Sequence, residues 1–228
     1  MEKTEKITIH QAIWYLVIFS IIGLIVETLF CYVTTGVLES RKGLIFGPFC
    51  PIYGVGATVL IFLLNRFKED KLKLFIYGGI CGSAIEYLIS FGLEAFYGTR
   101  FWDYSYQKFD LNGRICVTYT LFWGVLAFFL IKIVKPNIDK LINKINYKII
   151  DNTIVFFTII NVLCTIWGIN VYRNRAIQTY YGIDRNTKKS IINDIENEMF
   201  ENKKMQKIFP NLRFINENGE EIWIRDIL

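Results

Sequence analysis

The sequence predicts an all-α integral membrane protein: a polytopic bundle of about five transmembrane helices with a broken second segment, then a small soluble helix and hairpin. Three observations support this fold class. Of the 228 residues, 53% are hydrophobic, and they collect in stretches long enough to cross a bilayer. The charged residues, 21% of the chain, lie between those stretches and in the last quarter. This distribution excludes a disordered chain, a disulfide scaffold and an ordinary globular enzyme.

The first two apolar stretches differ in character. The first, over about 12–33, is long enough to cross about 30 Å of hydrocarbon. The second, over about 43–64, contains proline and glycine residues that remove backbone donors and loosen a helix. In lipid such a segment survives only against protein or a water-filled cavity. We therefore expect a re-entrant or kinked beginning over 43–51 and a helix over 52–64.

Three further spans are predicted. The third, over about 74–96, begins with small residues that let helices approach closely. The fourth covers about 116–134 and the fifth about 151–168. Between these two, residues 136–150 combine apolar residues at helical spacing with a stripe of lysines, a pattern typical of a helix lying on an anionic membrane surface. The aromatic and polar loop over 97–115 is expected at the headgroup level.

The domain organisation predicted is a transmembrane domain over 1–170 and a soluble tail over 171–228. An Asn-Gly turn at 218–219 predicts a hairpin with strands in 212–216 and 221–226. Pro210 ends the preceding helix. That amphipathic helix is predicted from four apolar residues at helical spacing: Ile191, Ile195, Met199 and Phe200.

Topology is predicted from the bias of lysine and arginine between loops. The N-terminus and the loops over 65–73 and 135–150 are lysine-rich and are placed in the cytoplasm. Five spans then put the tail outside. Several basic residues after the last span oppose this placement: Arg173, Arg175, Arg185, Lys188 and Lys189.

Three acidic residues lie within or near the ends of apolar spans: Glu27, Glu86 and Glu94. A carboxylate at the centre of a membrane helix costs about 2.5–3.5 kcal/mol on insertion scales, so it is expected to be paired or functional. Candidate partners are Arg41, Arg100 and Arg114. Two hypotheses stay open: buried Glu–Arg pairs that lock three helices in register, or a polar cavity that binds a cationic or polar headgroup ligand or relays a proton.

Loop residues and thiols complete the candidate site. Asp103, Asn112 and Arg114 either cap the mouth of that cavity or belong to an aromatic belt with a turn at Asn-Gly. Cys50 and Cys116 stand at predicted outer-side helix starts. They are either reactive or paired thiols, or two packed small side chains.

The counts exclude several chemistries. There is one histidine, His10, so a His-based catalytic constellation or a His-rich zinc site is not expected. The sequence contains no C-x-x-C pair and no G-x-x-x-x-G-K-[ST] loop. We therefore expect no metal and no cofactor, and an enzyme is disfavoured. The net charge of +5 fits membrane topology better than nucleic-acid binding.

Several short motifs together resemble a known family: G-P-F-C-P-I-Y-G at 47–54, E-Y at 86–87, F-W-D-Y-S at 101–105, L-N-G-R-I-C at 111–116 and F-W-G at 122–124. In order and spacing they are similar to the type IV ABC-transporter permease family, also called CmpB-like, over about 12–170. F-P-N-L-R-F at 209–214 is similar to the C-terminal extension of that family.

The resemblance implies a bacterial, multi-pass plasma-membrane protein that moves a small polar or amphiphilic solute with a separate ATPase subunit. It names no substrate. The candidate cavity would be lined by the three acids with Arg41, Asp103, Asn112 and Arg114. Two other classes stay open: an intramembrane or lipid-modifying enzyme with an acidic site at the outer face, and a non-transporting membrane scaffold. The lipid bilayer is the expected partner in each class, and a homo-oligomer is compatible with all of them.

Overall fold

The computed structural model describes residues 7–145, 148–183 and 191–228. Within them, four helices are long and apolar enough to cross a membrane: Ile9–Thr35, Lys71–Phe96, Val117–Ile142 and Ile150–Tyr180. A shorter apolar helix covers Pro51–Phe67. The predicted fold class, an all-α polytopic membrane protein, is confirmed.

The helices in chain order are α1 (Ile9–Thr35), α2 (Pro51–Leu64), α3 (Lys71–Tyr97), α4 (Val117–Phe129), α5 (Lys135–Ile142), α6 (Lys148–Tyr180), α7 (Ile191–Met199) and α8 (Asn202–Ile208). A π-helical turn covers Leu130–Val134, and 3-10 turns cover Asn65–Phe67 and Ile224–Asp226. The strands are β1 (Thr99–Arg100), β2 (Asp110–Leu111), β3 (Ile115–Cys116), β4 (Arg213–Ile215) and β5 (Glu221–Trp223).

Contacts between helix ends define two faces of the bundle. On the N-terminal face, His10 Nδ1 and Trp14 Nε1 lie 2.6 Å and 3.0 Å from the Asp151 carboxylate at the start of α6. Lys132 contacts Glu69 on the same face. The opposite face, called here the tail face, holds the loops after α1 and α3 and the C-terminal tail. The chain passes from one face to the other five times when the broken second segment is counted.

The second segment is broken as predicted, and its extended beginning packs against protein. The backbone N–H of Phe46 donates to Asn161 Oδ1 at 3.1 Å, and its carbonyl accepts from Asn161 Nδ2 at 2.7 Å. The N–H of Cys50 donates to the Ser20 carbonyl at 3.0 Å. Ser20 lies about 17 Å along α1 at 1.5 Å per residue. Helix α2 therefore begins near mid-depth, where side chains of α6 satisfy the exposed backbone.

The segment after the fourth span differs from its prediction. The expected surface helix over 136–150 is wrong over Lys135–Ile142, because the π-helical turn joins α4 to α5 in one apolar helix. Pro136 is tolerated because it stands in the first turn of α5, where no helical partner for its missing N–H is needed. Ile142 is fully buried in the bundle core. Residues 146–147 lie outside the described residues, so the rest of that prediction is not addressed.

Small residues of α3 admit α4 closely, as the sequence predicts. A Cβ on Gly79 would lie 2.9 Å from the Thr120 carbonyl oxygen, and one on Gly82 would lie 2.4 Å from the Trp123 ring. The open space above Gly82 therefore admits the Trp123 indole, one helical turn before Glu86.

The tail folds against the end of α6, which runs well past the predicted end at Gly168. The predicted hairpin is present as antiparallel β4 and β5, and β1 from the loop after α3 joins it in the order β1-β4-β5. The predicted helix is α7, with Ile191 exposed and Phe200, just beyond it, fully buried against α6. The tail thus lies on the same face as the loop after α3, while the domain division at residue 170 stays a prediction.

The basic residues that opposed this placement are only partly described. Arg173 and Arg175 lie in the last turns of α6, and Arg175 donates to the Phe200 carbonyl at 2.6 Å. Arg185, Lys188 and Lys189 lie outside the described residues.

Candidate functional site

Glu86 lies in the interior of the bundle with both carboxylate oxygens bound by aromatic donors. The residue is 6% exposed. Its Oε1 accepts from the Tyr104 hydroxyl and its Oε2 from Trp123 Nε1, each at 2.8 Å. The arginine partner expected from the sequence is therefore replaced by two neutral donors. Glu86 lies about 22 Å along α3, in the half of the bundle nearer the tail face.

Glu27 has the same kind of environment on α1. Its carboxylate accepts from the Tyr53 hydroxyl at the start of α2. A Cβ on Gly23, one turn before Glu27, would overlap the Tyr53 side chain at 2.1 Å, so this glycine admits the tyrosine. The Tyr53 and Trp123 rings stack with centroids 6.4 Å apart. We call Glu27, Tyr53, Glu86, Tyr104 and Trp123 the acid–aromatic cluster.

Tyr104 closes this cluster from the loop after α3. Burial raises the pKa of Tyr104, and the negative charge of Glu86 raises it further. Its ring stacks on Tyr119 of α4 with centroids 4.6 Å apart. Tyr104 is thus held as a protonated donor to Glu86 from the tail face.

Glu94 differs from the other two acids because it is paired with arginines. Arg100 Nε lies 2.5 Å and Arg114 Nη2 2.8 Å from Glu94 Oε2. Arg114, 7% exposed, also donates to Ser90 Oγ at 3.1 Å, and its guanidinium lies 5.6 Å from the centre of the Phe91 ring. At this acid the structure shows the Glu–Arg lock between α3 and the neighbouring loops.

Asp103 and Asn112 shape the loop that carries Tyr104. Asp103 accepts from the Ser105 backbone N–H at 3.0 Å, and a Cβ on Gly113 would lie 2.4 Å from its Oδ1. Gly113 has a φ of +66°, and its carbonyl accepts from the Tyr104 N–H at 2.7 Å. Asn112 donates to the Tyr87 hydroxyl at 2.9 Å. These contacts order the loop, and none of them joins Asp103 to Arg114.

The remaining candidates lie elsewhere on the tail face or within the bundle. Arg41 contacts Cys31 Sγ at 2.5 Å and Glu39 at 3.8 Å, so the structure does not bring it to the three acids. Cys50 and Cys116 are free and buried. In the described part of the chain, no group of histidine, cysteine, aspartate and glutamate is arranged to hold a metal ion.

Sequence reasoning missed the aromatic partners of the acids, because it assigned tryptophan and tyrosine to interfacial belts. A signal was nevertheless present. Gly-x-x-x-Glu occurs at 23–27 and again at 82–86, and Ser90 precedes Glu94 at the same spacing. Residues four apart share a helix face, so a small residue there leaves room for a partner that reaches the carboxylate.

The fold and this interior polar cluster define a polytopic membrane protein of a transporter-like class. The chain belongs to the family described as "Putative ABC-transporter type IV", whose sequence model matches residues 14–168. That match agrees with the resemblance stated above and covers all three acids. No curated protein and no solved structure matches the chain.

Proposed function

We propose that this chain is the permease-like membrane subunit of a transporter that moves a small polar or amphiphilic solute through the acid–aromatic cluster. One observation carries the proposal. Glu27 and Glu86 lie at membrane depth and, among the contacts of the described residues, neither forms an ion pair with lysine or arginine. Two such carboxylates favour a cationic partner, which is either a proton or the positive group of a solute.

The contrast with Glu94 supports this assignment. Glu94 is compensated by Arg100 and Arg114, so it fits the role of a structural lock. Tyr53 and Trp123 present aromatic faces beside the other two acids, and aromatic faces attract organic cations. We therefore expect a solute with a cationic or zwitterionic group.

Energy for transport would come from a separate ATPase subunit, since the sequence has no phosphate-binding loop. We propose that the N-terminal face lies in the cytoplasm of a bacterial cell and receives that subunit. Its lysine-rich loops support this orientation. The tail face, with the opening nearest Glu27 and Glu86, would then lie outside.

Ligand-induced thermal stabilisation tests the solute site. The purified protein in lipid nanodiscs is heated with a panel of organic cations, zwitterionic amphiphiles and organic anions. We expect cations or zwitterions to raise the melting temperature of the wild type, because a ligand that binds only the folded state stabilises it by mass action. Glu86→Gln should abolish the shift, while Glu69→Gln on the opposite face should leave it unchanged.

The same measurement separates the alternatives. A non-transporting scaffold predicts that Glu86→Gln lowers the melting temperature without ligand and that no solute shifts the wild type. A lipid-modifying enzyme predicts that the protein converts a lipid headgroup during incubation, which mass spectrometry of the nanodisc lipids would detect.

A further inference from the structure

Helices α1 and α3 carry matching residues in matching environments. Both run from the N-terminal face to the tail face. Gly82 and Glu86 follow Gly23 and Glu27 at the same separation of 59 residues. In each helix the glycine admits an aromatic side chain, and the glutamate accepts a hydrogen bond from it.

The returning helices α2 and α4 match in the same way. Tyr53-Gly54 and Trp123-Gly124 are separated by 70 residues, and four further positions at that separation carry the same residue. Those four pairs are Val55 and Val125, Ala57 and Ala127, Leu60 and Leu130, and Ile61 and Ile131. The last three pairs are all in the buried core.

Backbone contacts within each helix pair also match. A Cβ on Gly54 would lie 2.3 Å from the Leu16 carbonyl oxygen, and one on Gly124 would lie 2.7 Å from that of Phe75. Leu16 and Phe75 are again separated by 59 residues. The closest backbone approach therefore falls at equivalent points of two helical hairpins.

We infer that α1–α2 and α3–α4 are two copies of one helical hairpin, related by a pseudo-two-fold axis along the membrane normal, with Glu27 and Glu86 as equivalent carboxylates of one site. The helices of both hairpins run in the same directions, which makes this a parallel repeat. The stacked rings of Tyr53 and Trp123 lie at the interface between the copies. These two residues are positioning residues, since each holds its carboxylate by a hydrogen bond.

The two copies differ in their connections. The second hairpin has 11 more residues between its helices than the first, and this longer loop includes β2, β3 and Tyr104. Tyr104 therefore adds a second donor to Glu86, and no equivalent residue stands in the loop of the first hairpin. Glu86 is buried while Glu27 is partly exposed, so the repeat is closed at one carboxylate and open at the other.

A double-mutant cycle on the melting temperature of the full chain in nanodiscs, without ligand, tests the shared site. The variants are Glu27→Gln, Glu86→Gln and the double variant. If the carboxylates form one site, removing either charge relieves the other, and the loss in the double variant is smaller than the sum of the single losses. Additive losses would show two independent residues and would overturn the shared site.

Glycine variants test the repeat itself. Gly23→Ala and Gly82→Ala should lower the melting temperature by similar amounts, because each removes the space for an aromatic partner. Gly92→Ala, whose added carbon would meet nothing within 4 Å, is the control and should change it little. A large loss at only one of the two positions would contradict the repeat.

The naming of a solute group between the two carboxylates rests on the proposed function, whereas the cycle and the glycine variants do not. If no solute shifts the wild type while the cycle is non-additive, the proposed function fails and the repeat stands. If a solute binds and the cycle is additive, the reverse holds.

Discussion

Glu86 and Glu94 lie eight residues apart on α3, yet their partners give them different roles. Glu94 is bound by two guanidinium groups at the tail face, where loops from both sides of α4 meet. Glu86 is bound by a phenol and an indole in the interior. Neutral donors orient a carboxylate without cancelling its charge, so Glu86 keeps an electrostatic preference for a cation that Glu94 has already satisfied.

The Tyr104 hydroxyl gives a test at this scale. Tyr104→Phe keeps the ring stack on Tyr119 and leaves Glu86 Oε1 without its donor. A buried acceptor that loses its donor costs about 1–3 kcal/mol, so we expect a loss of that size in the free energy of unfolding. Denaturant titration of the detergent-solubilised protein measures it. In Tyr119→Phe, whose hydroxyl forms no hydrogen bond with the described residues, a comparable loss would argue against the role given to Tyr104.

The broken second segment shows what distinguishes an element from its sequence pattern. Gly47, Pro48 and Pro51 predict the break, because they weaken a helix wherever they stand. The partner that makes the break tolerable, Asn161, is 115 residues from Phe46, and nothing local in the sequence indicates that contact. Pro136 misled for the converse reason, since a π-helical turn before it lets α4 continue into α5.

Asn161 is the element-scale test. Asn161→Leu removes the donor and the acceptor that satisfy the Phe46 backbone in an apolar setting. We expect the free energy of unfolding to fall by at least about 2 kcal/mol, since two buried polar groups lose their partners. Asn170→Leu on the same helix is the matched control, because the Asn170 amide only supplements an Ile166 carbonyl of its own helix. Equal losses in the two variants would contradict this account.

At the scale of the whole molecule, a chain of alternating charges joins the tail to the bundle. Arg213 and Arg100 contact Glu221 at 2.6 Å and 2.8 Å, and Arg100 passes the connection to Glu94 and Arg114. Strand pairing between β1 and β4 runs alongside. The hairpin could be predicted from Asn-Gly and alternating residues, but its docking could not, because two-residue strands such as β1 have no pattern to recognise.

Glu221 tests this connection. Glu221→Gln weakens contacts to two arginines at once, so we expect faster amide hydrogen exchange in β1, β4 and β5 with the helices unchanged. Glu220→Gln is the control, since Glu220 contacts Asn216 within the hairpin turn and none of the arginines. Unchanged exchange in β1 in the Glu221 variant would show that the ion pairs do not hold the tail in place.

The late partner of the second segment also constrains how the protein is made. Residues 43–50 leave the ribosome long before Asn161, and at about 5–20 residues per second the delay is roughly 6–23 s. During that interval the polar backbone of Phe46 has no partner from α6. The apolar helix Pro51–Leu64, 14 residues long, is too short to span the hydrocarbon alone. Membrane insertion of the second crossing is therefore completed only after the fifth has been synthesised, and the nascent chain must be held at the translocon until then.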